Sequence, residues 1–255
     1  METARIAELL APFTMPTDLS PGTLAQVQRY LDLLLRWNAR INLTAVRDPE
    51  QIITRHFGES LLAARVLLGG AGESNNAFPR ALEPACESSL NGTAKVVPLQ
   101  DHSRYRTLAD VGSGAGFPGI PMKLFASELG LTLIESQNKK ATFLREVIRT
   151  LSLNRSEVSC GRAEQWGKTA DLVTLRAVEQ FERALPVAAE LVAAQGRLCL
   201  LIGMAQVPIA RQVLGATWEW HMPEAVPYTN DRVVLVGRRS QSAILLRSRG
   251  TSDIG

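Results

Sequence analysis

The sequence is poor in the features that build disulfide frameworks, metal centres and membrane spans. Its three cysteines and three histidines are scattered through 255 residues, which excludes a disulfide framework and a C-x-x-C metal pair. No apolar run approaches the roughly 18 residues that cross a membrane, and the N-terminal region lacks the long apolar core of a signal peptide. The sequence therefore predicts a soluble, cytoplasmic protein that holds no metal ion.

The composition sets only wide limits on the fold and on the partner. A chain of 255 residues, of which 45% are hydrophobic, can bury one large core, or one core with a small additional lobe. The formal net charge is +3 and the pI is about 8.9. This mild basic bias is compatible with a polyanionic partner but does not by itself indicate one.

The most informative stretch runs from Leu108 to Pro121. Its apolar start, which ends at Asp110 and Val111, predicts a buried strand, and a helix-compatible segment begins at Pro118. Between them lie closely spaced glycines, which permit positive φ and allow a ligand to approach bare backbone. These are Gly112, Gly114 and Gly116. A strand that passes through such a turn into a helix is typical of a nucleotide-cofactor site.

Two cofactor classes compete for this stretch. The segment that begins at Gly114 satisfies the G-x-G-x-x-G pattern of dinucleotide enzymes, which is weak evidence when it stands alone. The segment from Asp110 to Gly116 matches the acidic-x-G-x-G-x-G loop of S-adenosylmethionine methyltransferases. A carboxylate at Asp110 can receive the cationic amino-acid end of S-adenosylmethionine, whereas it would repel a pyrophosphate. The methyltransferase interpretation is therefore favoured, and a P-loop is excluded because no Gly-Lys-Ser/Thr follows.

From residue 106 onward, strand patterns alternate with helix patterns, as in an α/β domain with a largely parallel sheet. Glu135 ends the second predicted strand about twenty residues past the glycines, where a doubly wound fold places an acid on the ribose hydroxyls. Ala163 and Glu164 follow the third strand and border the expected position of the adenine. Arg176 ends the fourth strand at the ligand-binding edge, and a buried arginine needs a partner.

The chain divides into four predicted segments. Ser20-Pro21 and Asp48-Pro49 are helix start signals, each with an N-cap residue followed by proline at the first helical position. Apolar residues at helical spacing follow both signals, which predicts an all-helical lobe. We predict an N-terminal helical lobe, a flexible insertion, a cofactor-binding domain and a polar tail, at 1–68, 69–107, 108–239 and 240–255.

Basic residues cluster at two places. Four arginines lie along the helical lobe near His56, and Lys139 and Lys140 lie on the predicted helix after Glu135. Either group can contact RNA phosphates, but an ordinary solvated helix face explains both equally well. His56 is a candidate for the active site, although a lone histidine is more often a packing residue.

These residues together resemble the RsmG (GidB) family, which methylates guanine N7 in small-subunit (16S) ribosomal RNA. The resemblance spans roughly residues 20–240 apart from the insertion, and the Gly-Phe-Pro-Gly-Ile-Pro extension of the glycine stretch is its most specific element. The other elements lie in the family's order along the chain. They are Trp37-Asn with Asn42-Leu-Thr44, Arg55-His56, Glu135-Ser136 with Lys139-Lys140, Phe143-Leu144, Arg162-Ala-Glu164 and Arg176-Ala-Val178.

The resemblance implies a Rossmann-like class I methyltransferase sheet with an N-terminal helical lobe. It implies S-adenosylmethionine as the cofactor, and 16S ribosomal RNA or the small ribosomal subunit as the partner. We expect a monomer. The family's cofactor contacts carry over to five positions in this sequence, with Glu135 expected at the ribose. They are Gly112, Phe117, Ala163, Glu164 and Arg176.

Three positions depart from the family pattern on the substrate side. Glu59 replaces a shorter acid, Leu175 replaces a small hydroxyl residue, and Ile202 replaces a lysine. These departures leave open a methyltransferase that acts on another RNA or on a small molecule. A non-catalytic RNA-binding factor and a nicotinamide-dependent oxidoreductase are further alternatives.

The mechanism implied by the resemblance needs no catalytic side chain. Guanine N7 offers a free lone pair and carries no proton, so methyl transfer to it requires no general base. Catalysis then consists of aligning N7 with the methyl group and tolerating the charge that moves to the purine. The sequence agrees, since it shows no Ser/His/Asp or Cys/His constellation and no set of metal ligands.

Overall fold

The computed structural model describes residues 1–68, 105–176, 180–242 and 244. Within these residues, eight strands form one central sheet. The strands are β1 (Thr107–Val111), β2 (Gly130–Glu135), β3 (Ser156–Cys160), β4 (Ala170–Arg176), β5 (Val192–Gly203), β6 (Trp218–Trp220), β7 (Glu224–Ala225) and β8 (Arg232–Arg239).

The sheet has the order β3-β2-β1-β4-β5-β8-β6, and β7 pairs with β8. The first five strands in that order are parallel, whereas β8 is antiparallel to β5, β6 and β7. The chain reverses its direction of winding between β1 and β4, which is where open α/β sheets bind ligands at the carboxyl edge. The predicted Rossmann-like α/β fold class is confirmed. The sequence pattern also predicts two late strands near 216–222 and 232–238 as an antiparallel pair, which β6 and β8 confirm.

Helices cover both faces of the sheet. They are α1 (Thr3–Thr14), α2 (Pro21–Asn38), α3 (Pro49–Ile52), a π-helix (Ile53–Gly58), α4 (Glu59–Leu68), α5 (Gly119–Phe125), α6 (Asn138–Thr150), α7 (Phe181–Glu190) and α8 (Gln206–Leu214). Residues of α1, α2, the π-helix, α4, α5 and α6 share one hydrophobic core with one sheet face, and α7 and α8 pack on the other face. Along β4, Leu172 lies in the first core, and Val173 and Leu175 lie in the second. Burial on both faces explains the near-continuous apolar character of the parallel strands.

The two predicted helix starts in the lobe are confirmed. The Ser20 hydroxyl accepts a hydrogen bond from the Thr23 backbone N–H at 3.1 Å. The Asp48 carboxylate accepts one from the Gln51 backbone N–H at 2.8 Å. The helical spacing did not predict the π-helix that follows α3. A Cβ atom added to Gly58 at its end would lie 2.7 Å from the ring of Phe13, so this turn packs tightly against α1.

One predicted boundary is wrong. The pattern predicts a helix over 179–194 and a strand over 197–202, but α7 ends at Glu190 and β5 begins at Val192. Val192 pairs with Ala170 of β4, and the register shifts before the next pair. The alanine-rich start of β5 has high helix propensity, and the neighbouring strand overrides it.

Two of the predicted segments lie mainly outside the described residues. Of the insertion predicted over 69–107, only 105–107 are described, and Thr107 opens β1. Of the tail predicted over 240–255, only 240–242 and 244 are described. The four-segment division of the chain therefore stays a prediction. Among the described residues, no helix has both the length and the apolar character needed to cross a membrane.

Tyr30 of α2 joins the helical lobe to the glycine loop, which comprises residues 112–118. Its side chain is fully buried, and its hydroxyl donates a hydrogen bond to the Ala115 carbonyl. Its ring stacks on Phe117 with centroids 5.4 Å apart and meets Phe57 edge-on at 5.1 Å. The lobe therefore supports the loop through a cluster of aromatic rings and one hydrogen bond.

We expect Tyr30→Phe to lower the free energy of unfolding by about 1–2 kcal/mol, because the buried Ala115 carbonyl loses its donor. Tyr228→Phe is the matched control, since the Tyr228 side chain is 77% exposed. Urea denaturation measures both variants. Equal free energies for Tyr30→Phe and Tyr228→Phe would contradict the supporting role of the Tyr30 hydroxyl.

Candidate functional site

The glycine loop folds back over the end of β2. Gly112, Gly114 and Gly116 all have positive φ, at 68°, 57° and 90°. The backbone N–H groups of Gly112 and Ser113 donate to the Ile134 carbonyl at 2.9 and 3.1 Å. A Cβ atom on Gly116 would lie 2.5 Å from the Tyr30 hydroxyl oxygen, so both the backbone angle and the space require glycine there.

Asp110 lies beneath this loop at the end of β1. Its side chain is buried, and its oxygens accept hydrogen bonds from the Thr174 hydroxyl at 2.8 Å and the Gly119 N–H at 3.2 Å. Burial raises the pKa of Asp110 to about 6, although these hydrogen bonds oppose the shift. The carboxylate thus fixes the start of α5 to the sheet. Its predicted contact with the cationic end of the cofactor stays a prediction.

Glu135 holds the other side of the loop. One carboxylate oxygen accepts from the Gly114 N–H at 2.9 Å, and the other accepts from the Gln137 N–H at 2.8 Å. Glu135 therefore connects the loop to the start of α6, and its predicted contact with the ribose hydroxyls stays a prediction. Ala163 and Glu164 lie in a short 3₁₀ turn after β3, and the Gly161 N–H before them donates to the Glu135 carbonyl at 3.1 Å.

Arg176 reaches from the end of β4 into the helical lobe. Its Nη2 atom donates to the Arg55 carbonyl at 2.8 Å, to His56 Nδ1 at 3.0 Å and to Glu59 Oε2 at 3.0 Å. Burial lowers its pKa, and the Glu59 charge opposes that shift. Its Nε atom is buried and has no hydrogen-bond partner among the residues that the structure describes. Nη2 of the guanidinium is thus held by the π-helix and the start of α4, while Nε keeps an unused donor.

His56 is neutral in this arrangement. A guanidinium can only donate, so Nδ1 of His56 accepts from Arg176, and the ring proton lies on Nε2. Nε2 then donates to the Thr44 hydroxyl oxygen, 2.7 Å away. Burial, assisted by the charges of Arg176 and Arg55, lowers the pKa of His56 to about 3. The lowered pKa and the hydrogen bonds at both ring nitrogens make His56 a weak base.

Phe117 is the residue on which these contacts converge. Its ring centroid lies 5.0 Å from that of His56 and 5.9 Å from the guanidinium carbon of Arg176. The ring is almost fully buried between the lobe and the loop. Phe117, which is part of the glycine loop, therefore packs against both the lobe and Arg176.

The structure brings most of the predicted site residues together at the carboxyl edge of the sheet. Asp110, the three loop glycines, Phe117, Glu135, His56 and Arg176 form one connected network. Lys139 and Lys140 lie in the first turn of α6, next to the residue that binds Glu135, with Lys139 exposed.

The sequence pattern missed two members of this network, Glu59 and Arg232. Glu59 is noticeable in the sequence only as a departure from the family pattern. Arg232, at the start of β8, donates to Glu59 Oε2 at 3.0 Å and gives no local signal, because the two residues are 173 positions apart. Within the described part of the chain, no group of three or more His, Cys, Asp or Glu residues could hold a metal ion.

Comparison with known proteins gives a consistent result. Residues 23–72 and 79–212 match the profile of the family described as rRNA small subunit methyltransferase G. A protein named ribosomal RNA small subunit methyltransferase G from Xanthomonas campestris pv. campestris (strain B100) is 33% identical over 201 residues, which are 78% of each chain. A protein of the same name from Exiguobacterium sp. is 34% identical over 181 residues, which are 67% of this chain and 62% of the relative.

Among solved structures, the ribosomal protein L11 methylase from Lactobacillus delbrueckii subsp. bulgaricus is similar with a TM-score of 0.47 and 16% sequence identity. The similarity covers 54% of this chain and 72% of that chain.

The neutral state of His56 predicts a specific pH dependence of stability. The folded protein keeps His56 neutral down to about pH 3, whereas an unfolded histidine gains a proton below its ordinary pKa of 6.5. The unfolded state therefore binds more protons in this window, and stability falls as the pH falls. Relative to His56→Asn, the wild type should lose up to about 1.4 kcal/mol per pH unit below pH 6.5 and nothing above it.

Urea denaturation of both proteins from about pH 4.5 to 8 measures this difference, and carboxyl groups common to both cancel. A difference that does not change with pH would show that folding leaves the pKa of His56 at its ordinary value, and one that changes only above pH 6.5 would show that the folded protein keeps His56 protonated.

Proposed function

The chain belongs to the rRNA small subunit methyltransferase G family, and on that premise we propose that it methylates N7 of a guanine in 16S ribosomal RNA, with S-adenosylmethionine as its cofactor. The main support for this proposal is the place in the fold where the site residues meet. The glycine loop, the acid after β2 and the buried arginine after β4 meet at the switch point of the sheet, where α/β folds bind nucleotides.

The residues present fit this cofactor. The Arg176 Nε–H is a buried donor without an acceptor among the described residues, and the carboxylate of the methionine end would supply one. Glu135 lies at the loop, where an acid can accept from ribose hydroxyls. Ala163 and Glu164 follow β3, on the side expected for the adenine. When bound, the cofactor supplies an electrophilic methyl group on a sulfonium.

The chain's own residues orient the reactants and do not transfer protons. Guanine N7 has a free lone pair, so the reaction needs no general base. His56 is a weak base, because burial lowers its pKa to about 3 and both of its ring nitrogens are hydrogen-bonded. The glycine loop, held by Glu135 and Tyr30, and the aromatic Phe117 would hold the cofactor in one orientation, and alignment would supply the rate. The guanine must be unpaired or splayed out of its helix to reach this edge.

A basic rim on one side of the site is proposed to hold the RNA backbone. Helix α2 packs antiparallel to α6, because Gln26 bonds Leu151 near one end, while Trp37 bonds Glu146 and packs on Phe143 nearer the other. This packing brings the arginines at the end of α2 to the same end as the lysines at the start of α6. The rim consists of Arg36, Arg40, Lys139 and Lys140, all at least partly exposed.

We further propose that the protein acts as a monomer in the cytoplasm. All of the proposed cofactor contacts come from one chain, and the ribosomal RNA that the enzyme modifies is made and assembled there.

Incubation of the protein and S-adenosylmethionine with unmodified 16S ribosomal RNA, or with small subunits, tests the reaction directly. Mass spectrometry of the nucleosides should detect 7-methylguanosine. Gly112→Asp should lower activity by at least about tenfold, because it places a side chain and a charge at a positive φ of 68° in the loop. Gly215→Asp is the matched control, at a positive φ of 60° after α8 with open space around it.

Methyl transfer to another base or to a small molecule would contradict the proposed substrate but would support S-adenosylmethionine as the cofactor. RNA binding without transfer would instead support a non-catalytic factor.

The basic rim predicts a steep response to salt. Each phosphate contact to single-stranded RNA contributes about 0.7 to the slope of log K against log salt. The double variant Lys139→Gln/Lys140→Gln should therefore lower the slope by about 1.4 and raise KM for RNA, with little change in kcat. Lys168→Gln/Arg211→Gln removes two exposed cations elsewhere and should leave the slope unchanged. Equal slopes for the two double variants would remove the rim from the RNA-binding surface.

A further inference from the structure

Glu59 occupies an unusual position for an acidic residue. Its side chain is 2% exposed, and a single oxygen, Oε2, accepts from both Arg176 and Arg232 at 3.0 Å. These arginines come from β4 and β8, which are separated by β5 in the sheet. One buried carboxylate from the lobe thus ties together two cations at the ligand-binding edge.

The two guanidinium groups need this carboxylate. Burial lowers the pKa of Arg176, the charge of Glu59 opposes that shift, and the charge of Arg232 adds to it. Without Glu59, two like charges would face each other in a region of low dielectric. The Arg176 side chain is 11% exposed and the Arg232 side chain 25%, so water screens this repulsion only in part.

The backbone around Glu59 is fixed from both sides. The π-helix ends at Gly58, which is in close contact with the ring of Phe13. The Ser60 hydroxyl donates to the His56 carbonyl at 2.6 Å. The three acceptors of Arg176 Nη2 all come from this short segment, so its geometry sets the rotation of the guanidinium. The Nε–H, on the same edge of the guanidinium as Nη2, is left without an acceptor among the described residues.

We propose that Glu59 is a positioning residue for the cofactor site, which acts by holding Arg176 in the rotation that presents its free Nε–H to the cofactor's carboxylate. The proposal rests on the contact between Arg176 and the cofactor described under the proposed function. Glu59 itself touches neither cofactor nor RNA in this account. Its effect on cofactor affinity therefore depends on Arg176.

A double-mutant cycle measured by titration calorimetry with S-adenosylmethionine tests this dependence. Glu59→Gln, which keeps the shape and removes the charge, should raise Kd by about tenfold or more. Arg176→Gln should do the same. In the Arg176→Gln background, adding Glu59→Gln should change Kd by less than about twofold, because the group through which Glu59 acts is already missing.

Two further variants separate positioning from folding. Glu50→Gln is the matched control in the same region of the lobe, since Glu50 is an exposed acid that pairs with Arg5, and Kd should not change. Glu59→Asp keeps the charge but reaches less far, and its Kd should lie between those of the wild type and Glu59→Gln. It also serves as the test if Glu59→Gln does not fold.

The outcomes are distinct. Independent, additive effects of Glu59→Gln and Arg176→Gln on Kd would overturn the proposal, and so would wild-type affinity in both Glu59 variants. A wild-type Kd in Arg176→Gln alone would also overturn it, and would locate the error in the assigned Arg176 contact. Absence of S-adenosylmethionine binding to the wild-type protein would instead refute the proposed function itself.

Discussion

The proposed cofactor site depends on one buried contact between the helical lobe and the sheet. The guanidinium of Arg176 leaves the end of β4 and is received by the Arg55 carbonyl, His56 and Glu59. A buried guanidinium is costly unless its hydrogen bonds and charge are satisfied, and removing one partner of such a pair costs about 3–5 kcal/mol. The lobe is therefore part of the proposed site, and it shares one hydrophobic core with the sheet.

The rest of the site follows from how the glycine loop is held. Asp110 fixes the helix that follows the loop, Glu135 bonds the loop itself at Gly114, and Tyr30 bonds it at Ala115 from the lobe. These hydrogen bonds fix the position of the loop at three points, which suits a reaction that relies on alignment. Asp110 and Glu135 both lie at the ends of strands, but their surroundings differ. Asp110 is buried beneath the loop, whereas Glu135 lies at its edge.

Local signals predicted the parts of the fold that local chemistry determines. The N-caps at Ser20 and Asp48, the strand that leads to the glycines and the strand that ends in Arg176 were all recognisable, because caps, glycine turns and apolar runs are short-range features. The π-helix was not predictable, since the close contact between Gly58 and Phe13 of α1 is tertiary. The same holds for the partners of Glu59 and for the start of β5, where pairing with β4 overrides helix propensity.

Hydrogen exchange measured by mass spectrometry, with and without S-adenosylmethionine, tests most directly whether the lobe and the sheet build the cofactor site together. We expect the cofactor to slow exchange in peptides that cover 53–59 of the lobe as well as in those that cover 112–119. Slower exchange in the loop alone, with unchanged exchange in the lobe, would show that Arg176 does not couple the two and would contradict the account.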